Sequence, residues 1–221
     1  MNAQASAQAA TLRVLILAFD GVEVLDFAGP FEVFTTASRV SQRLRPGTAA
    51  PFEVAAVADG TPGRPVQARA GLQLLAAHGL ADAPQADVLV VPGGVVDAPM
   101  ASTATLQWIA RQAAGAQLVA SVCTGAFLLA QSGVATTEAV TTHWEDLAEL
   151  RGRFPSLAVR EGVRWIDAGR LVTSAGISAG IDMSLYLVER LAGRALAERT
   201  ARQMDYAWTH DRPEPPQGSP R

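Results

Sequence analysis

The chain contains no lysine; all 18 of its basic residues are arginine. That excludes chemistry through a Schiff-base amine. Its single cysteine, Cys123, has no intrachain partner for a disulfide. Met1 to Thr11 lacks the basic start and long apolar core of a secretory leader, so a cytoplasmic location is expected. Charged residues make up only 18% of the chain and the net charge is −3, which leaves nothing to draw it to nucleic acid or an anionic membrane surface. No apolar run approaches the roughly 20 residues a membrane-crossing helix needs. Neither a G-x-G-x-x-G nor a P-loop pattern occurs, so no nucleotide cofactor is expected.

What remains is a 221-residue chain that is 49% hydrophobic, enough for one well-filled core. Its organising stretch is Ala120-Ser121-Val122-Cys123-Thr124-Gly125-Ala126-Phe127-Leu128-Leu129-Ala130. Gln117 to Val122 has strand length and Gly125 to Gln131 reads as helix, which puts Cys123 and Thr124 on the junction. A thiol at a helix start meets unpaired N–H groups, and these are expected to lower its pKa below the usual value of about 8.5. The turn parallels a nucleophile elbow, except that Ser121 stands where G-x-S-x-G has its first glycine. The competing reading is a small, inert core residue, because free cysteine is commonly buried.

Residues 1–11 read as a disordered tail, 12–206 as one domain and 207–221 as a Pro-rich tail. Arg13 to Phe19, Phe52 to Ala58 and Asp87 to Val91 are near-continuous apolar runs, as in parallel strands covered on both faces. Gly60 to Ala76 reads as a rim hairpin and Thr103 to Ala114 as a helix. Glu23 to Phe34 leads into a helix with Gly29-Pro30 at a break or first turn, which leaves Asp26 in the loop or cap before it. Loops after parallel strands gather at the carboxyl edge of the sheet, so Asp26 and Cys123 are expected to meet there. Pro92-Gly93-Gly94 follows a strand directly; it is either a plain turn or a place where the Gly94 and Val95 amides face an anion beside Cys123.

Thr142 and Glu145 fit a capping box for a helix from Trp144 to Arg151. Val159 to Ile166 and Arg170 to Ser174 read as strands about a tight turn at Asp167-Ala168-Gly169. Ser174 to Asp182 is a small-residue loop entering the helix Met183 to Leu191. Arg194 to Tyr206 is a final helix, with a salt-bridged outer face and aromatic residues toward Trp208 that are candidates for a dimer contact. The order of elements predicts an α/β fold, a flavodoxin-like sandwich with a mainly parallel central sheet.

Of the three histidines, His78 falls in a rim segment, His210 in the tail, and His143 is a helix cap before it is a catalytic candidate. Asp20, Glu23 and Asp26 have no His or Cys at ligand spacing, so no metal site is expected.

The runs Leu25-Asp26-Phe27-Ala28-Gly29-Pro30-Phe31-Glu32-Val33-Phe34, Val91-Pro92-Gly93-Gly94, Ser121-Val122-Cys123-Thr124-Gly125, Thr141-Thr142-His143-Trp144 and Gly176-Ile177-Ser178-Ala179-Gly180-Ile181-Asp182 together resemble the ThiJ/PfpI superfamily, from about Leu12 to Tyr206. Within it they look most like the isocyanide hydratase branch. The same motifs occur in the sensor domain of AraC-type regulators, but no helix-turn-helix segment follows Tyr206, and a stand-alone enzyme is expected. Thr124 stands where the peptidase branch has histidine, and the late His-x-Glu pair of the amidotransferases is missing. The resemblance implies Cys123 as nucleophile, Asp26 as its acid and Thr124 as holder of water or of the acid. It also implies an anion site at Gly94, a pocket lined by Ile177, a small-molecule substrate and a homodimer. The rival expectations are a small-molecule or redox sensor and another cysteine hydrolase of the superfamily.

Overall fold

The computed structural model describes residues 10–209. In chain order its elements are β1 (Leu12–Ala18), α1 (Val24–Leu44), β2 (Phe52–Ala58), β3 (Pro65–Gln67), β4 (Gln73–Leu75), β5 (His78–Gly79) and β6 (Val88–Val91). They continue with α2 (Asp97–Ala101), α3 (Thr103–Gly115), β7 (Leu118–Val122), α4 (Gly125–Gln131), β8 (Ala139–Val140), α5 (Leu147–Arg153) and β9 (Ala158–Val159). The last four are β10 (Trp165–Ala168), β11 (Leu171–Ser174), α6 (Ala179–Ala192) and α7 (Arg194–Gln203).

Seven strands form the main sheet in the order β10-β11-β7-β6-β1-β2-β5, parallel throughout except for the β10 edge. The buried strands are apolar because both faces are covered: Val14 to Leu17 and all of β6 are at most 1% exposed. From β1 the chain crosses one way to β2, and from β6 the other way to β7. Right-handed crossovers therefore place α1 and α3 on opposite faces. α1 packs with α6 and α7, while α4 packs with α2 and α3. The flavodoxin-like sandwich is the architecture expected from the sequence.

Helix α1 buries Phe27, Pro30, Phe34, Ala37 and Ser41, one stripe at three- and four-residue spacing. Phe34 meets Phe52 of β2 edge to face, with ring centroids 5.0 Å apart. The helix begins before Asp26, not after it, and Pro30 lies inside. Proline has no N–H to give the Asp26 carbonyl four residues earlier, so the first turn is only loosely tied to the rest of the helix.

Other boundaries also shift. The expected capping box does not form: His143 caps the short turn at Trp144–Asp146, and the Thr142 hydroxyl is drawn instead to the Cys123 carbonyl at 2.9 Å. Asp167 and Ala168 belong to β10, and the turn sits at Gly169-Arg170. Thr11 is tied to the Ala50 carbonyl at 2.7 Å, and Trp208 and Thr209 both bond to Asp182, so the expected tails encroach on packed chain at both ends. Their remainder, residues 1–9 and 210–221 with His210, lies outside the described residues. Trp208, the aromatic candidate for a dimer contact, is half-buried against the core. Among the described residues no helix is long and apolar enough to cross a membrane.

Candidate active site

The crevice between β1 and β6 is the point where successive crossovers diverge, and ligands of open parallel sheets collect beyond the carboxyl ends of such strands. Asp26 follows β1, Gly93 and Gly94 follow β6, Cys123 follows β7 and Ile177 follows β11. Four separate connections thus bring their residues to one edge.

Cys123 occupies the turn from β7 into α4 with φ 55°, a left-handed backbone that costs a side-chain-bearing residue on the order of 1–3 kcal/mol. The surroundings hold it there. Its N–H donates to the Ser174 carbonyl at 3.1 Å and the Ala175 carbonyl at 3.3 Å, and its own carbonyl accepts from Thr142. The side chain is 7% exposed, and the backbone N–H groups of Thr124 and Ile177 donate toward its sulfur. Ile177 is itself strained, at φ 34°. Two of the four side-chain-bearing residues with positive φ among those described therefore belong to one site.

Asp26 is fully buried. The Gly93 N–H donates to its Oδ2 at 3.2 Å, and Oδ1 has no satisfied hydrogen-bond geometry of its own. The Cys123 thiol is the side chain that reaches this carboxyl. Burial, helped by the charge of Glu23, pushes the Asp26 pKa up to about 7, as its expected role requires.

The expectation for the thiol is reversed. Burial and the facing Asp26 carboxylate push Cys123 up to about 12, against the pull of the Thr124 and Ile177 amides. Two charges of one sign cannot both be held in this space, so the pair carries at most one at neutral pH. The two groups therefore titrate as one unit, with burial favouring the uncharged form of each.

Gly93 allows this close approach. A methyl group there would stand 2.6 Å from both the Thr124 nitrogen and Oγ1, and 2.9 Å from Asp26 Oδ2. The expected anion site from the next two amides is not what the structure places there. Gly94 N–H donates to Thr124 Oγ1 at 2.9 Å, and Val95 N–H is taken by the Gly21 carbonyl at 3.0 Å in a short antiparallel bridge between Val22 and Gly94. The Thr124 hydroxyl donates back to the Gly94 carbonyl at 3.0 Å, so it ties two loops together instead of standing free for water. The donors left for the sulfur are the Thr124 and Ile177 amides. The Ile177 amide was not legible as a donor, because a backbone N–H leaves no residue-type signal.

His143 accepts the Glu145 N–H at Nδ1 and faces Glu145 and Asp146 across 3.6 and 3.5 Å. The Cδ2 edge of its ring abuts Gly176, where a side chain would have no room. It serves as a cap and a wall. With Trp144, Leu147, Val163 and Ile177 it lines a mostly apolar cleft of about 470 Å³, and Trp144 is 72% exposed there. Among the described residues no group of three or more His, Cys, Asp or Glu is placed to hold a metal ion.

A doubly wound parallel sheet that presents a buried Cys–Asp pair at a strained elbow defines a flavodoxin-like protein with a cysteine-centred site. The chain matches the model of the DJ-1/PfpI family over residues 12–190, and it belongs to that family. It is 35% identical to an isonitrile hydratase of Pseudomonas putida over 95% of this chain and 83% of that one. It is also 33% identical to the transcriptional regulator GbdR of Pseudomonas aeruginosa over 65% of this chain, which spans only 39% of the regulator. A ThiJ/PfpI family protein from Pseudomonas syringae, known by crystal structure, superposes with a TM-score of 0.77 at 25% identity, covering 96% of this chain and 81% of that one.

Proposed function

We propose that the protein hydrates isocyanides (isonitriles) to N-substituted formamides, with Cys123 as nucleophile and Asp26 as the proton relay. The observation that carries this is the Asp26 carboxyl: fully buried, open at Oδ1, reached by the thiol, and with a pKa of about 7. A relay that must both take and return a proton works best with a pKa near the working pH. The similarity to an isonitrile hydratase over nearly the whole chain points to the substrate class.

Ionised Asp26 takes the thiol proton as the sulfur attacks the terminal carbon of R–N≡C, then delivers that proton to the same carbon. The product is a thioimidate, R–N=CH–S–Cys123. Water adds to this carbon; one of its protons goes to nitrogen and the other returns through Asp26 to the departing sulfur, releasing R–NH–CHO. The Thr124 and Ile177 amides stabilise negative charge on sulfur at its arrival and departure. The apolar cleft beside Ile177 receives the R group, and Trp144 forms its outer wall.

The test is mass spectrometry of purified protein with cyclohexyl isocyanide. Wild type should form the formamide, a gain of one water, and Cys123→Ala should form none. A folded wild type that alkylates at Cys123 yet makes no formamide would overturn the reading. It would favour the second one, a small-molecule sensing domain, for which the similarity to GbdR over 65% of this chain speaks.

A further inference from the structure

The relay described above uses one of two fully buried aspartates near the site. The other, Asp182, lies in the first turn of α6, five residues after Ile177. Its partner is Arg164, whose Nε donates to Asp182 Oδ2 at 2.6 Å, with a second contact from the guanidinium Nη2. Arg164 also holds the other end of the same loop: its carbonyl accepts the Ala175 N–H at 2.8 Å. One residue therefore grips the segment 175–182 on both sides of Ile177. From the far side the Thr209 N–H donates to Asp182 Oδ1 at 3.0 Å, and the Trp208 indole N–H donates to the Asp182 carbonyl at 3.2 Å.

Ile177 needs that grip. Its φ of 34° is a conformation that a β-branched residue leaves unless its neighbours are fixed, and relaxation would swing its N–H away from the sulfur. We propose that Arg164 and Asp182 are positioning residues: their ion pair brackets the 175–182 loop and fixes the Ile177 amide on the Cys123 sulfur, so that a pair outside the reacting atoms sets how readily the thiolate forms. The proposal rests on Cys123 as the reacting atom and is independent of which electrophile it attacks.

The charges that push the thiol up are those of Asp26 and, more weakly, Asp146, and neither is removed by changes at 164 or 182. The experiment follows alkylation of Cys123 by iodoacetamide in the full chain, from pH 6 to 11, for wild type, Arg164→Met, Asp182→Asn and Arg164→Lys. Circular dichroism checks that each is folded. A hydrogen bond to a charged atom is at stake, so Arg164→Met and Asp182→Asn should alkylate about tenfold more slowly throughout this range, in which the thiolate of a group pushed up to about 12 stays a minor species. Arg164→Lys, which keeps the charge and one donor, should fall between.

A merely structural clasp gives the opposite sign. Loosening it would expose the sulfur and speed alkylation at every pH. Faster alkylation, or a wild-type profile in the folded variants, overturns the proposal. If Arg164→Met does not fold, Arg164→Lys and Thr209→Pro, which removes the N–H on Oδ1, carry the same decision. Slowed alkylation in a protein that makes no formamide would refute the hydratase reading and leave this proposal standing.

Discussion

Asp26 and Asp182 are the same residue in nearly the same place: each is fully buried in the first turn of a long helix, and the two helices pack on each other. Their surroundings differ in what is supplied. Asp182 has an arginine, a backbone N–H and a closed set of hydrogen bonds, whereas Asp26 has one amide, an open Oδ1 and a thiol. A buried carboxylate with its partners provided is a fastener; one left short of partners is a reagent. The contrast shows how burial, which by itself only disfavours charge, is turned to structure or to chemistry by what is placed around it.

The same substitution at both sites should have opposite consequences. The largest effect is on turnover: Asp26→Asn removes the proposed relay and should lower kcat by about 10²- to 10⁴-fold in the formamide assay. Near-normal rates would put the relay elsewhere. The next effect is on folding. Asp26 rises from its ordinary 3.8 to about 7, so the native state binds its proton more tightly than the unfolded chain does. That advantage is full below pH 4 and is lost as pH rises through 7. At pH 8 Asp26→Asn should thus be more stable than wild type by up to about 4 kcal/mol, the gap closing near pH 3 in urea titrations. Asp182→Asn, which breaks an ion pair buried only at its carboxylate end, should instead lose about 2 kcal/mol at pH 8. Equal signs would erase the contrast.

A third test sharpens the reagent side. Because the proposed mechanism has ionised Asp26 accept the thiol proton, kcat/KM should fall as the pH drops below about 7, a limb the residual activity of Asp26→Asn should lack. Trp144→Ala should raise KM for cyclohexyl isocyanide about tenfold and leave methyl isocyanide nearly unchanged, given that a bulky R group alone reaches the cleft wall. The smallest effect belongs to a control: Arg39→Ala breaks an exposed pair with Glu32 and should change stability by about 0.5 kcal/mol or less.

Much of this was legible in the sequence for a physical reason. Continuous apolar runs in β1, β2 and β6 can exist only where both faces are covered, and that alone selects a parallel sheet with helices on both sides. The rule that loops gather at the carboxyl edge then brings Asp26 and Cys123 together across 97 positions of chain. What was hidden depends on contacts between distant segments. Thr142 looks like a cap until the Cys123 carbonyl, 19 residues away, competes for its hydroxyl. Gly94 and Val95 look like free donors until Val22 bridges to Gly94 and Gly21 takes the Val95 amide. The direction of the thiol's pKa was hidden likewise, because a helix start is visible in sequence and the depth at which it is buried is not. The two-residue strand β5 carries too little pattern to be seen at all.

The left-handed backbone of Cys123 has a consequence for anyone who evolves this protein in the laboratory. Glycine adopts that conformation without strain, and asparagine at position 26 leaves no charge in the core. A library screened for soluble yield alone, with no demand for turnover, will drift toward Cys123→Gly and Asp26→Asn. On the mechanism proposed above, its fittest members will be well folded and inert, because at these two positions stability and the proposed chemistry pull against each other.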